Sequence, residues 1–166
     1  MSILPIIQYP NPLLKTPCDA LHQELPGVGQ LIKDMQDTLM AHPFCVGLAA
    51  PQVGRLLRIV VIDCSRSRKP AKHHGNLVLI NPVITQREGE QVMREGCLSL
   101  PDYTGNVKRA VSVVVEGLDS DEIPQKIEAE GFEAVVLQHE IDHLDGILFL
   151  DRITSLKTDV FRRKNY

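Results

Sequence analysis

The segment Gln138-His139-Glu140-Ile141-Asp142-His143 contains the pattern His-Glu-x-x-His. Residues four positions apart lie on one face of a helix, so His139 and His143 can bind one metal ion. Glu140 follows the first histidine, where its carboxylate can reach a metal-bound water. Two neutral imidazoles and a neighbouring carboxylate are the parts needed for metal-assisted hydrolysis. The alternative is an exposed helix on which these side chains are merely solvated.

The residues around this motif predict a buried helix over residues 132–144, with Gly146 just past its end. Apolar residues occupy more than one side of it, namely Ala134, Val135, Leu137, Ile141 and Leu144. A buried helix that carries two histidines, a glutamate and an aspartate needs partners for them. A metal ion would supply partners for the histidines.

The rest of the chain predicts strands around this helix. Helical spacing of apolar residues predicts a first helix over residues 28–41, ended by Pro43. Residues 3–21 are expected to be irregular, 47–54 a loop and 155–166 a last short helix. Predicted strands cover residues 57–63, 77–85, 95–101, 111–116 (buried) and 125–130 (half-exposed). We therefore expect an α+β fold in which antiparallel or mixed sheets pack around a central metal-binding helix.

Composition predicts one globular domain spanning residues 1–166, since 43% of the 166 residues are hydrophobic and 23% are charged. A net charge of −3 gives no basic footprint for nucleic acid. Aromatic residues make up only 4% of the chain, and there is no tryptophan, which disfavours a base-stacking platform. Apolar runs such as residues 59–62 are too short to span a bilayer.

The location predicted by the sequence is the cytoplasm, or an organelle matrix after removal of a transit peptide. Residues 1–5 lack the features of a secretory signal. The four cysteines are widely spaced, with no Cys-x-x-Cys pair, and we interpret them as reduced thiols.

A catalytic site of this kind needs a third protein ligand and one open position. Histidine, cysteine, aspartate and glutamate are all candidates. Cys97 is favoured because it lies in Glu95-Gly96-Cys97-Leu98-Ser99-Leu100-Pro101, a turn-strand-stop sequence whose glycine allows close backbone approach. A thiolate binds Zn or Fe(II) well. An ordinary buried thiol is the alternative.

Three motifs in this order resemble those of the peptide deformylases. They are Gly47-Leu48-Ala49-Ala50-Pro51-Gln52, Glu95-Gly96-Cys97-Leu98-Ser99 and Gln138-His139-Glu140-Ile141-Asp142-His143. The resemblance covers essentially the whole chain. It implies an enzyme that removes the formyl group from the N-terminal formyl-methionine of newly made polypeptides and releases formate.

The resemblance also implies the parts of the site. Cys97, His139 and His143 would hold the metal, natively Fe(II), with Zn, Ni or Co possible in its place. Glu140 would be the general base and acid, while the Gln52 side chain and the Leu98 backbone N–H would donate to the formyl oxygen. The substrates would be N-formylated nascent polypeptides near the ribosome, and we expect a monomer.

The substrate groove is expected to use Gly47 for the peptide backbone. We expect the methionine pocket to be lined by Val46, Met93, Phe132, Val135 and Val136, with Glu95 and Arg109 pairing at its rim. A purely structural Glu95–Arg109 ion pair is the alternative. The chain departs from the family pattern at Cys45, where a second glycine is usual; a Cβ there would narrow or redirect the groove.

The same residues also bear on three other functions. A zinc endopeptidase would take its third ligand downstream of His143 and would leave Cys97 unexplained. A cupredoxin-like electron carrier would use Cys and two His in a β-sandwich, which a helical His pair disfavours. An inactive, peptide-binding paralogue is disfavoured by the presence of Glu140, Gln52 and Cys97 together, whereas specificity for another N-acyl group stays open.

Overall fold

The computed structural model describes residues 1–164, in which two helices and two antiparallel sheets form the fold. The helices are α1 (Val28–Ala41) and α2 (Gly131–Leu144). The strands are β1 (Gly47–Ala49), β2 (Ile59–Asp63), β3 (Asn76–Glu88), β4 (Gln91–Cys97), β5 (Leu100–Arg109), β6 (Ser112–Leu118), β7 (Pro124–Glu130) and β8 (Val160–Arg162). Short 3-10 helices cover Pro12–Lys15, Ala50–Val53, Cys64–Arg66 and Phe149–Arg152. The predicted α+β class is confirmed.

The two sheets lie on either side of α2. One has five strands in the order β1-β2-β3-β6-β7, and the other has three in the order β4-β5-β8. Apolar side chains of α2 pack on β2, β6 and β7 in the largest core cluster. Polar side chains of the same helix bond to residues of β4 and β5. The helix is therefore the central element, as the sequence predicted.

Burial on all sides makes α2 unusual. Every residue from Glu133 to Leu144 is buried, which agrees with the apolar residues predicted on more than one face. Gly146 follows the helix with a φ of 73°, a left-handed conformation that favours glycine. The N–H of Gly146 bonds back to the His143 carbonyl at 3.1 Å, so the chain turns away directly after the motif.

Helix α1 matches its predicted bounds and forms a second core cluster with β2. Its buried face carries Leu31, Ile32, Met35 and Leu39, which pack with residues of β1 and β2. This packing covers β1 and β2 of the five-stranded sheet on the face opposite α2. The sheet consequently has apolar residues on both faces of β2, which explains its uninterrupted run of β-branched residues.

The N-terminal segment is irregular, as predicted, and is bonded to the loops that carry the site. The N–H of Ile7 donates to Gln52 O at 2.8 Å, and the N–H of Tyr9 donates to Ser99 O at 2.9 Å. Further on, the N–H of Cys18 donates to Leu144 O at 2.8 Å. These bonds tie three separate site segments to one another through the same stretch of chain.

Several local predictions were wrong. Residues 155–164 contain the strand β8 instead of a helix, and residues 165–166 lie outside the described part of the chain. The predicted loop at 47–54 contains strand β1 and a 3-10 helix. Strand β6 alternates in burial instead of being buried throughout. Strand β5 was missed because its residues include proline, aspartate, glycine and asparagine, which are typical of turns.

Candidate active site

Cys97, His139 and His143 come together between the two sheets. Their potential ligand atoms all lie within 4.8 Å of one another, and all three residues are buried. Cys97 ends strand β4, while the histidines project from consecutive turns of α2. The Cys97 Sγ lies 3.3 Å from His143 Nε2. One sulfur and two imidazole nitrogens at this spacing fit a metal ion that keeps an open position.

Glu95 orients the first histidine. The His139 Nδ1 lies 2.7 Å from Glu95 Oε1, an arrangement in which Nδ1–H donates to the carboxylate and Nε2 stays available for a metal. The Arg109 guanidinium donates to both oxygens of Glu95, at 2.8 and 2.9 Å, and also to Asp142. Arg152 donates to the two oxygens of Asp142 at the surface.

This hydrogen-bond network and the burial of the site set the ionisation states of Glu95 and His143. Burial alone would raise the pKa of Glu95, but hydrogen bonds from Arg109 and His139 outweigh burial and lower that pKa to about 2. Glu95 is therefore ionised and able to accept from His139. Burial, assisted by the nearby positive groups, holds the pKa of His143 well below its usual value. His143 is thus neutral, which is the form that binds metals.

Glu140 lies in the site with one oxygen uncommitted. Its Oε2 is buried without a hydrogen-bond partner among residues 1–164. Burial raises the pKa of Glu140 to about 7, with the neighbouring Glu95 charge acting in the same direction. A carboxyl group with a pKa close to neutrality is suited to both accepting and donating a proton. The uncommitted oxygen is also what a water or substrate group beside a metal would satisfy.

Gln52 and Leu98 lie beside the ligand cluster. Gln52 is 2% exposed, and its Oε1 accepts from the N–H of Ala49 at 3.0 Å, which fixes the orientation of the amide. The Gln52 Nε2 points towards Cys97 Sγ at 3.4 Å and Ser99 Oγ at 3.2 Å. Leu98 lies in the two-residue turn between β4 and β5, directly after Cys97.

A cavity of about 560 Å³ opens onto these residues. This volume is in the range of small-ligand sites. Of the residues predicted to bind substrate, the lining includes Gly47, Val46, Glu95, Phe132, Val135 and Val136. Met93 and Arg109 do not line it. Glu95 and Arg109 do pair, but their side chains are 5% and 3% exposed, so the pair is buried under the site and not at a rim.

Sequence reasoning missed several residues of the site. Ser99 accepts from Gln52, although its position after Leu98 in the second motif was a signal for it. Asp142 bonds both Arg109 and Arg152 and so connects them. Lys69 and Arg94 line the cavity, and no local sequence pattern marks them because they come from distant segments.

The fold and the site together define a metal-dependent hydrolase of the α+β class. The chain belongs to the polypeptide deformylase family, whose model matches residues 3–159. This family removes N-formyl groups from nascent peptides.

Relatives and solved structures agree with this assignment. The chain is 47% identical over 165 residues to a peptide deformylase of Thermodesulfovibrio yellowstonii, covering 99% of this chain and 97% of the relative. It is 44% identical over 164 residues to one of Syntrophobacter fumaroxidans, covering 99% and 94%. The crystal structure of a peptide deformylase from Legionella pneumophila matches with a TM-score of 0.84 at 39% identity, covering 94% of this chain and 89% of that one.

Proposed function

We propose that this protein hydrolyses the formyl group from formyl-methionine at the start of newly made polypeptides, with residues 1–166 acting as one catalytic domain. The observation that carries the proposal is the Cys97, His139 and His143 cluster, within 4.8 Å, beside Glu140 in a cavity of about 560 Å³. The resident metal is proposed to be Fe(II), which thiolate and imidazole ligands accept, with Zn, Ni or Co able to replace it. When bound, such a metal lowers the pKa of water to about 7.

Glu140 is proposed to move the proton. It accepts a proton from the attacking water and passes it to the methionine nitrogen as the bond to the formyl carbon breaks. Its buried Oε2 and its pKa of about 7 suit both steps. Formate leaves with the oxygen that came from water, and the peptide leaves with a free amine.

Two donors are proposed to stabilise the negative oxygen that develops on the formyl group. These are the Gln52 Nε2 and the Leu98 backbone N–H. Gln52 is held by its bonds with Ala49 and Ser99, so little reorganisation is needed at the moment of reaction. A preorganised donor of this kind contributes about 3 kcal/mol to transition-state stabilisation.

The methionine side chain is proposed to pack against Val46, Phe132, Val135 and Val136. The peptide backbone would lie along Gly47, in strand β1 at the outer edge of the five-stranded sheet. Within residues 1–164, β1 pairs only with β2, so its other edge is available for an added strand. Glu95 and Arg109 would act from below by positioning His139.

The proposed substrates are nascent chains near the ribosome, bound by a monomeric enzyme in the cytoplasm or in an organelle matrix. No helix within residues 1–164 is long and apolar enough to span a membrane. Nucleic-acid binding is not part of the proposal, given the net charge of −3.

Formate release from formyl-Met-Ala-Ser by anaerobically purified, Fe(II)- or Ni(II)-loaded protein tests the proposal. We expect metal-dependent turnover and none with acetyl-Met-Ala-Ser. Glu140→Ala should keep its metal and lose turnover by at least ~100-fold, whereas Cys97→Ala should lose both. Near-normal turnover of Glu140→Ala would show that the assigned base is wrong. No turnover by a fully loaded wild type would refute the function.

A further inference from the structure

Three positively charged residues lie at the opening, or mouth, of the cavity. Lys69, Arg94 and Arg163 all line it. The carboxylates among the lining residues are Glu95 and Glu140, and both are buried. Glu95 is further neutralised by Arg109 beneath it. The described mouth is therefore cationic in a chain whose net charge is −3, so the cluster does not follow from a basic composition.

The segment that carries Lys69 is tied down at both ends. Before it, the Arg66 guanidinium donates to the carbonyls of Leu39 and Cys45, each at 2.7 Å. After it, the backbone N–H of His74 donates to the buried Glu133 at 2.7 Å. The Lys69 Nζ lies 5.2 Å from the ring centroid of Phe132, on the apolar wall of the cavity. These contacts place a cation directly beside the proposed methionine pocket.

Arg94 lines the same cavity from strand β4 and is held in place by two contacts. Its guanidinium carbon lies 3.6 Å from the ring centroid of Phe161 in β8, and its Nε donates to Asn106 Oδ1 at 3.1 Å. A stacked and hydrogen-bonded guanidinium loses less freedom when it binds an anion. Within residues 1–164, neither Lys69 nor Arg94 has a carboxylate within 4.0 Å, and both side chains are exposed. Their charges are thus available to a ligand.

We propose that this cationic mouth makes the enzyme prefer formylated peptides with an acidic side chain in the two residues that follow methionine. The inference rests on the proposed function, since it places the methionine against Phe132, next to Lys69. A peptide that extends from this pocket along β1 must pass the mouth of the cavity. A glutamate there gains attraction from Lys69 and Arg94, and a lysine is repelled.

The test compares formyl-Met peptides that end in an amide, so that no terminal carboxylate interferes. Glutamate, glutamine or lysine is placed at the first or the second position after methionine. At low salt, we expect kcat/KM for glutamate to exceed that for lysine by about fivefold at one of these positions, as for an exposed ion pair. The ratio should fall towards one at 0.5 M salt, where exposed charges are screened. Ratios near one at both positions would overturn the inference.

Variants assign the effect to the named residues. Lys69→Met keeps apolar contact with Phe132 but removes the charge, and should reduce the ratio about twofold to threefold. The double variant with Arg94→Met should abolish the preference. Lys72→Met is the matched control, because Lys72 lies in the same segment, is exposed and does not line the cavity. An equal loss of preference in Lys72→Met would refute the assignment.

Measurements of peptide binding without turnover test this inference separately from the proposed function. Calorimetry of the same formylated peptides with metal-free protein should give the same order of affinities, glutamate over lysine, without any turnover. Turnover of the glutamine peptides with no charge preference would refute the inference and leave the function standing. A charge preference in binding, with no turnover of any peptide by the metal-loaded protein, would refute the function and leave the inference standing.

Discussion

Gly47 lies so close to the proposed base that any larger residue would displace the Glu140 side chain. A Cβ on Gly47 would be 2.7 Å from Glu140 Oε1 and 2.8 Å from Glu140 Cγ. Glu140 is buried in α2 and lines the cavity, so a Cβ at Gly47 would push its carboxylate out of its present position. Among the residues of the first motif, the glycine is therefore required by side-chain packing as well as by any role in binding a peptide.

Gly47→Ala should fold and bind metal but lose activity. We expect kcat/KM to fall by at least ~100-fold, because displacement of a catalytic group by about 1 Å has effects of this size. The measurements are formate release and metal content. Gly29→Ala is the control, since a Cβ at Gly29 in α1 meets nothing within 4 Å, and it should leave activity unchanged. Full activity of Gly47→Ala would mean that Glu140 can move without any loss of kcat/KM.

The sulfur atom of Cys45 contacts the backbone of Gly47 in the proposed substrate groove. Its S–H donates to the Gly47 carbonyl at 3.0 Å, and the residue lines the cavity. Burial, with a further contribution from Glu140, raises the pKa of the Cys45 thiol to about 12. The group therefore stays a neutral donor at physiological pH. The Cys45 side chain thereby helps to hold the orientation of the Gly47 peptide group, which lines the same cavity.

Cys45→Ser should retain this hydrogen bond, whereas Cys45→Ala should lose it. A neutral hydrogen bond contributes about 1 kcal/mol, so we expect KM for formyl-Met-Ala-Ser to rise about fivefold in Cys45→Ala and about twofold or less in Cys45→Ser. Steady-state kinetics at matched metal content provides the measurement. Identical KM values for the two variants would show that the thiol does not order the groove.

At the scale of elements, the buried ion network joins α2 to the three-stranded sheet. Arg109 on β5 bonds Glu95 on β4 and Asp142 on α2, and its side chain is 3% exposed. Arg152 also bonds Asp142, but its side chain is 42% exposed. Loss of Arg109 leaves the buried Glu95 with His139 but no arginine, and leaves Asp142 with only one of its two arginines. Loss of the exposed Arg152 lets water take its place.

Arg109→Met should lower the free energy of unfolding by about 3–5 kcal/mol. Arg152→Met, the matched change at the surface, should lower it by about 1 kcal/mol or less. Urea denaturation of both variants measures the difference. Arg109→Met should also bind metal more weakly, since Glu95 would no longer be held against His139. Equal stability losses in the two variants would contradict a structural role for the buried network.

Local sequence predicted some elements well and others poorly. Helices α1 and α2 each carry apolar residues at helical spacing, so both were found. Strand β8 was predicted as helix because its three residues have no pattern of their own and form a strand only by pairing with β5, where Thr104 faces Phe161. Strand β5 likewise depends on pairing with β4 over a long register.

At the scale of the whole molecule, a metal at the site would connect the three-stranded sheet to helix α2 and the five-stranded sheet. Cys97 belongs to the three-stranded sheet, whereas the histidines belong to the helix that packs on the five-stranded sheet. The ligands are also buried, and His139 stacks near the core residue Phe149, with ring centroids 6.2 Å apart. Metal binding is consequently linked to the stability of the assembled fold.

Removal of the metal by a chelator should therefore lower Tm. Saturation at about 100 times Kd stabilises a folded protein by about 3 kcal/mol, which corresponds to a shift of several degrees in a domain of this size. Calorimetry of loaded and chelated protein provides the measurement. Cys97→Ala should have the same Tm with and without metal. An unchanged Tm in the wild type would mean that no metal binds to the folded state at this site.

Local sequence patterns were enough to predict a metal-dependent hydrolase. The His-Glu-x-x-His spacing places two proposed ligands on one helical face, since helix geometry is local, and the order of three motifs indicated the family. Strand pairing and burial were needed to see that Glu95 and Arg109 lie beneath His139, that Met93 is outside the cavity, and that Lys69 and Arg94 both line it. Those relations join residues far apart in the chain, and they arise from strand pairing and burial that no local pattern encodes.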